Sequence, residues 1–315
     1  MKTLKKSLIA LAAAGLFSSV AQAEAVTVYG KLNVTLQASE EAGESTSEVK
    51  SNASRLGVKG DLDLGNNLQA IYTIEYEVKT DSGEFKARNQ FVGLKGGFGQ
   101  VTVGRQDTML KISQGKVDLF NDLEGDIKNL LKGENRMGQT AAYLSPKIAD
   151  VATLGLTYVA KADNGDTLED GVSAAAMFGD KNLKKSAFYA ALAMDSKVKG
   201  YDAIRATGHV KLGDAKLGAL VQKQTKIASD TEQMAYLVSG SYSITKAVAL
   251  KTQYQLTTED NKDDKKSLSV GADYKLGSAT KAFAFYTMGD RTHEVDTVDV
   301  SFEDKWFGLG LEHKF

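Results

Sequence analysis

Residues 306–315 read WFGLGLEHKF. Phe307, Leu309, Leu311, His313 and Phe315 fall on one side of a two-residue repeat. Gly308, Gly310, Glu312 and Lys314 fall on the other. This is a strand with one apolar and one polar face, and it finishes flush on an aromatic residue. As the edge of a soluble sheet such a ribbon would invite aggregation. A closed membrane barrel, whose last strand pairs with its first, has a use for it.

The opposite end agrees. Lys2, Lys5 and Lys6 precede an apolar run of ten, LIALAAAGLF at 8–17, and then the small-residue site Ala21-Gln22-Ala23. That order is the three-part pattern of a secretory leader. The run is too short to cross a bilayer as a helix, which takes about 20 residues. Residues 1–23 are therefore expected to be a signal peptide, with 24–315 as one exported domain. Without the leader the chain carries 36 basic and 40 acidic residues, a net charge of −4. Nothing in that balance suits nucleic acid. The absence of cysteine excludes disulfides, thiol chemistry and cysteine metal sites, and no cofactor or metal site is expected. Thirty glycines and a single proline, Pro146 in a turn, suit an all-β chain.

Alternation recurs throughout. Val26, Val28, Gly30, Leu32, Val34 and Leu36 oppose Lys31, Asn33 and Thr35. Leu68, Ala70, Tyr72, Ile74, Tyr76 and Val78 oppose Gln69, Thr73, Glu75, Glu77 and Lys79. Charged faces of this kind must be wet, because burying unpaired charge is very costly. Short polar turns alternate with longer polar connections, such as 38–52, 106–135 and 292–305, as in outer-membrane barrels. Sixteen strands are expected, at 26–37, 53–64, 68–80, 88–95, 100–105, 136–145, 151–161, 172–179, 186–198, 203–213, 217–228, 234–244, 248–260, 266–277, 281–291 and 306–315. The fold class is thus an all-β transmembrane antiparallel barrel. One of this width keeps an aqueous channel.

Selection in such a channel needs a constriction, and the one connection long enough to form it is 106–135. Loops of that length are usually functional. Val117, Phe120, Leu123, Ile127, Leu130 and Leu131 recur at helical spacing. A helix would put Asp118, Asp122 and Asp126 on one stripe, with Glu124 nearby, and the apolar stripe would pack on the barrel wall.

At this point the chain resembles the general Gram-negative porins, in particular the neisserial and comamonad-like trimeric family. The likeness rests on VTVYGKLNV, NASRLGVKGDLDLGNNLQA, RNQFVGLKGGFGQVTVGRQ, VDLF, NRMGQTAAYLSP and the terminal Phe315, in that order. It implies a sixteen-stranded trimeric outer-membrane barrel whose third extracellular loop folds inward opposite a ladder of basic residues. By matching segments that ladder would be Arg55, Arg88 and Arg136. Parity sets Arg55 with Lys59, opposite Leu56 and Val58, and sets Arg88 with Gln90, opposite Phe91. Lys31 is a candidate neighbour, and Arg105 stands at the base of the loop with its direction open. Asp118 is carried by VDLF, whereas Asp122, Glu124 and Asp126 rest on the helical reading. Phe307, Leu309, Leu311 and Phe315 resemble the signal read by the outer-membrane insertion machinery.

The expected function is passive diffusion of ions and small hydrophilic solutes, with a weak cation preference from the net charge and the acidic loop. A homotrimer in contact with outer-membrane lipid and lipopolysaccharide is expected. Two rival functions are a channel selective for one sugar or anion and a structural or adhesive barrel. An enzyme would have to be built on His209, His293 or His313, and no nucleophile with a base and orienting group is evident around them.

Overall fold

The computed structural model describes residues 26–164, 169–260, 262–295 and 298–315. The expected signal peptide, 1–23, lies outside the described residues. The strands are β1 (Thr27–Glu41), β2 (Glu44–Ser51), β3 (Arg55–Gly65), β4 (Leu68–Val78), β5 (Phe85–Gly96), β6 (Gly99–Asp107), β7 (Arg136–Leu144), β8 (Ala152–Val159) and β9 (Gly171–Gly179). They continue with β10 (Phe188–Val198), β11 (Tyr201–Leu212), β12 (Ala215–Lys226), β13 (Thr231–Ser243), β14 (Val248–Glu259), β15 (Lys265–Lys275), β16 (Thr280–Val295) and β17 (Val298–Lys314).

Every pairing is antiparallel, and from β3 onward each strand pairs with the next in the chain. β2 and β3 lie end to end along one edge of β1: β2 pairs with residues 34–41 and β3 with residues 27–31. They are one wall strand interrupted at 52–54, so seventeen segments make a sixteen-stranded wall. β17 returns to the other edge of β1, from Lys31↔Lys314 to Glu40↔Lys305, and closes it. Beyond that ladder Gly30 N donates to Phe315 O at 3.0 Å and Phe315 N to Gly30 O at 3.2 Å. Closure pairs the wall strands on both sides within the barrel, and only the hairpin extensions, such as β2 beyond β3, keep one unpaired edge among the described residues.

Burial is inside out. Along β1 the apolar Val28, Leu32 and Leu36 are exposed, while Asn33, Thr35 and Gln37 between them are buried. Such a wall is stable only with hydrocarbon outside and water inside. On β17, Phe307, Leu309 and Leu311 face outward, whereas Trp306 is buried on the inner side. The β3–β4 turn has Asn66 at φ 51° and Asn67 at φ 62°, the two left-handed residues that a tight hairpin with the twist of its strands requires.

Two expected loops prove to be extensions of the sheet. Within 38–52, β1 runs on to Glu41 and β2 starts at Glu44; within 292–305, β16 reaches Val295 and β17 starts at Val298. Above the bilayer both faces of a strand meet water. The apolar alternation therefore disappears while backbone pairing continues, and the sequence ESTSEVKS of β2 hides a strand.

The expected helix across 106–135 is also corrected. The connection holds one short helix, α1 (Met109–Ser113), and a single 3₁₀ turn at Ile127–Asn129, with turns between them. Asp122 has φ 68°, a left-handed backbone that cannot continue an α-helix. The apolar residues pack nonetheless. Val117, Ile127, Leu130 and Leu131 are buried with Leu220, Ala235 and Leu237 of β12 and β13. Met109 and Leu110 pack on alanines of β7 and β9–β11, and Phe120 packs on Phe283, Phe285 and Trp306.

Candidate site: a charged neck between the β6–β7 connection and the wall

The β6–β7 connection is tied to the inner faces of the strands by side-chain amides. Gln253 of β14 accepts from Leu119 N at 2.7 Å and donates to Asp118 Oδ1 at 3.1 Å and to Gly125 O at 2.9 Å. Gln255 adds a 2.6 Å bond to Gly125 O. These glutamines alternate with exposed Leu250 and Tyr254 on the same strand, which is the two-residue repeat put to use.

Between the connection and the wall of β1–β7 lies a polar cavity of about 610 Å³. At its edge Asp122 pairs directly with the wall: Arg55 Nη2, which also lines the cavity, is 2.6 Å and Lys31 Nζ 2.9 Å from Asp122 Oδ2. Burial alone would push the Asp122 carboxyl up, but the fields of Lys31 and Arg55 outweigh it and hold the group below the usual aspartate value. Glu124 pairs with Lys50 of β2 and accepts from Gln37 Nε2 at 3.1 Å. Arg136 bridges to Asp107 at 3.0 Å and donates to Asn89 Oδ1 at 3.0 Å.

The four expected acids therefore separate. Asp122 and Glu124 meet the basic wall; Asp118 and Asp126 turn back into the connection. Asp118 accepts from Phe120 N at 3.0 Å and Ile127 N at 3.1 Å. Asp126 accepts from Asp122 N and Lys128 N, each at 2.9 Å, and so caps the 3₁₀ turn. Burial pushes the Asp118 carboxyl up, to about 7, and the neighbouring Asp126 adds to the effect. The expected stripe fails because the left-handed Asp122 turns its side chain away from the other two.

The arginines also differ from simple parity. On β5 the outward residues are Val92 and Leu94, so Gln90 shares their parity, and Phe91 lines an inner cavity with Asn89. Strict alternation would send Arg88 outward with Gln90. A register shift opposite Glu75 intervenes between the Ile74 and Tyr76 pairs. That bulge re-aims Arg88, which pairs with Glu75 at 2.6 Å and Glu77 at 3.6 Å. Arg105 stands opposite Gln90 on the parity of exposed Val101 and Val103. Its Nε is buried without a hydrogen-bond partner among the described residues, and it is absent from the cavity wall.

Sequence reasoning missed Arg205, 0% exposed on the inner face of β11, and the inward aromatics Phe283 and Phe285. The signals were present: an arginine inside the alternating run of β11, and KAFAF, in which the phenylalanines take the parity opposite Tyr286. The histidines are apart. His293 meets Asp304 at 2.5 Å, His313 meets Thr280 at 2.8 Å, and His209 Nδ1 has no hydrogen-bond partner among the described residues.

Comparison with known proteins agrees with this architecture. The family model described as Gram-negative porin matches residues 10–294. Among curated proteins, the chain is 29% identical over 352 residues to a major outer membrane protein P.IB of Neisseria meningitidis serogroup B, covering 99% of this chain and 100% of that one. Among solved structures, the anion-selective porin from Comamonas acidovorans matches with a TM-score of 0.79 at 20% identity, covering 93% of this chain and all of that one. An OmpF of Salmonella typhi in complex with daunomycin matches with a TM-score of 0.72 at 15% identity, over 92% and 97% of the two chains. The family model covers most of the chain, and the closed barrel with apolar side chains outside and polar ones inside fits it: the chain belongs to the Gram-negative porins, channel-forming proteins of the outer membrane.

Proposed function

We propose that the 106–135 connection is the constriction of a passive diffusion channel, and that ions and small hydrophilic solutes pass between it and the wall formed by β1–β7. The observation that carries this reading is the polar cavity lined by acids of the connection and bases of the wall, with Asp122 paired to Arg55 and Lys31 at its edge. Opposed charges set a transverse field in a narrow aqueous neck, where charge sets ion preference and width sets the size limit. Asp122 and Glu124 supply the acidic side, and Lys31, Lys50, Arg55, Arg88 and Arg136 the basic side. Asp118 and Asp126 hold the connection in shape, and Arg105 takes no part.

Ion preference follows the lining rather than the whole chain. The cavity wall carries seven basic and six acidic side chains, which favours a weak anion preference over the cation preference expected from net charge. Export through residues 1–23, assembly through Phe307, Leu309, Leu311 and Phe315, and contact with outer-membrane lipid and lipopolysaccharide complete the reading. A homotrimer is favoured because one matching structure, OmpT of Vibrio cholerae, is described in a trimer form. The histidines offer no constellation for catalysis, and the reading is of a channel, not an enzyme. Purified protein in a planar bilayer tests it. Stepwise, ohmic conductance increments are expected, and the absence of such steps from an assembled barrel would overturn it.

A further inference from the structure

Arg205 is a long charged side chain with no exposure, and its immediate neighbour Ile204 is 66% exposed on the outer face of the same strand. The guanidinium gathers partners from three parts of the chain. Its Nε donates to Gln222 Oε1 of β12 at 2.7 Å. Nη1 donates to Leu110 O at 3.2 Å and to Glu134 Oε1 at 2.7 Å, and Nη2 donates to Lys132 O at 3.2 Å. Leu110 belongs to the stem by which the connection leaves β6; Lys132 and Glu134 belong to the stem by which it returns to β7. Gln222 Nε2 also donates to Lys132 O at 2.9 Å, and Gln224 Oε1 accepts from Lys132 N at 2.9 Å.

We propose that Arg205 is the positioning residue that sets where the constriction stands, and through it the width and steadiness of the channel. This rests on the constriction reading above. Arg205 does not line the neck and touches no solute; it acts through the two stems. One planar fork with donors in fixed directions satisfies acceptors on both stems and on the wall, a task that the compact ammonium of lysine does not reproduce. Removing it leaves Glu134 buried without its counter-charge, so the stems detach toward water. Nearer the tip, Gln253 and Gln255 still hold Gly125 O. The result is a connection tethered at one end and loose at the other, not an absent one.

The chain has no cysteine, so a reversible tether supplies the decisive test. A Cβ built at Gly218 of β12 would lie 3.1 Å from Val117 Cβ and 2.6 Å from Ser239 Oγ; once the serine hydroxyl turns aside, a few tenths of an ångström of relaxation reaches the range of about 3.5–4.5 Å for disulfide-bonded Cβ atoms. Planar-bilayer currents are compared for the wild type, Arg205→Leu, Arg205→Lys, Glu134→Gln, and Arg205→Leu carrying Val117→Cys and Gly218→Cys. Arg205→Leu is expected to give assembled barrels whose open-channel current variance is several-fold higher and which close at lower voltage. Arg205→Lys should recover only part of the steadiness. The oxidised tether should restore wild-type variance, and adding dithiothreitol should bring the noise back.

Glu134→Gln leaves the β-strands untouched but removes one lining acid, so its noise and not its conductance is read; a smaller rise of the same sign is expected, and it decides the matter if Arg205→Leu assembles poorly. Unchanged noise and conductance in assembled Arg205→Leu, or unchanged noise in Glu134→Gln where only that variant assembles, would overturn the proposal while leaving the channel intact. So would an oxidised tether that fails to quiet Arg205→Leu. A wild-type barrel with no current would instead overturn the channel reading beneath it.

Discussion

Asp122→Asn should turn a nearly balanced neck into a distinctly anion-preferring one. Asp122 accepts from both Lys31 at 2.9 Å and Arg55 at 2.6 Å, so the substitution keeps the shape and releases two cations at once. The lining changes from seven basic against six acidic side chains to seven against five. One unit charge acts on an ion about 4 Å away with about 1 kcal/mol in a water-like medium, which is roughly a fivefold change in partition. The Debye length is about 10 Å at 0.1 M salt, so the neck feels this charge in full; at 1 M it is about 3 Å and the effect is largely screened. The assay is the reversal potential under a potassium chloride gradient. Chloride and potassium are affected with opposite sign, so the chloride-to-potassium permeability ratio should rise by up to about 25-fold near 0.1 M and by much less at 1 M. No shift at low salt, or a shift toward potassium, would refute the placement of Asp122 in the ion path.

Arg55→Ser makes the complementary test: it removes one lining cation and should move the reversal potential toward potassium by a similar factor, and an unmoved value would take Arg55 out of the neck. Asp118→Asn probes acid dependence. Because burial raises the Asp118 carboxyl to about 7, its ionisation opposes docking of the connection. Docking is therefore firmest below the ordinary aspartate value of about 4 and weakens as pH rises to about 7. Current noise should rise over that interval in the wild type and rise less in Asp118→Asn, where the buried Glu134 carboxyl, also raised by desolvation, still titrates; identical pH profiles would count against the buried placement. Gly30→Val attacks closure of the barrel, since a Cβ there would stand 2.5 Å from Arg55 O and 2.5 Å from the Phe315 ring. Overpacking of this kind costs about 1–3 kcal/mol, so the yield of folded barrel should fall, and normal assembly would contradict the role given to the β1–β17 seam.

The wall was legible because its cause is local. A pleated strand sends neighbouring side chains to opposite faces, so a membrane barrel writes its inside and outside into every second residue. Leu32, Leu36, Leu309 and Leu311 could be assigned to the outer face from parity alone. The strands above the bilayer escaped, since β2 has water on both faces and nothing to alternate. Arg88 escaped for a different reason: one extra residue opposite Glu75 shifts the parity of everything beyond it, and the shift is visible only in the pairing of two strands.

The neck divides in the same way. Length and spacing located the long connection and its acids, and the resemblance of its segments to the porins pointed to Arg55, Arg88 and Arg136, because those are properties of segments. Which acid meets which base depends on residues far apart in the chain. Asp122 and Arg55 are separated by 67 positions, Gln253 and Asp118 by 135, and Arg205 and Leu110 by 95. No local periodicity encodes such contacts; closing the barrel creates them. The alternating strands alone were enough to specify a barrel and its membrane. The partners of its charged residues, and with them the width and sign of the passage, came into being only when the wall closed and the β6–β7 connection packed against it.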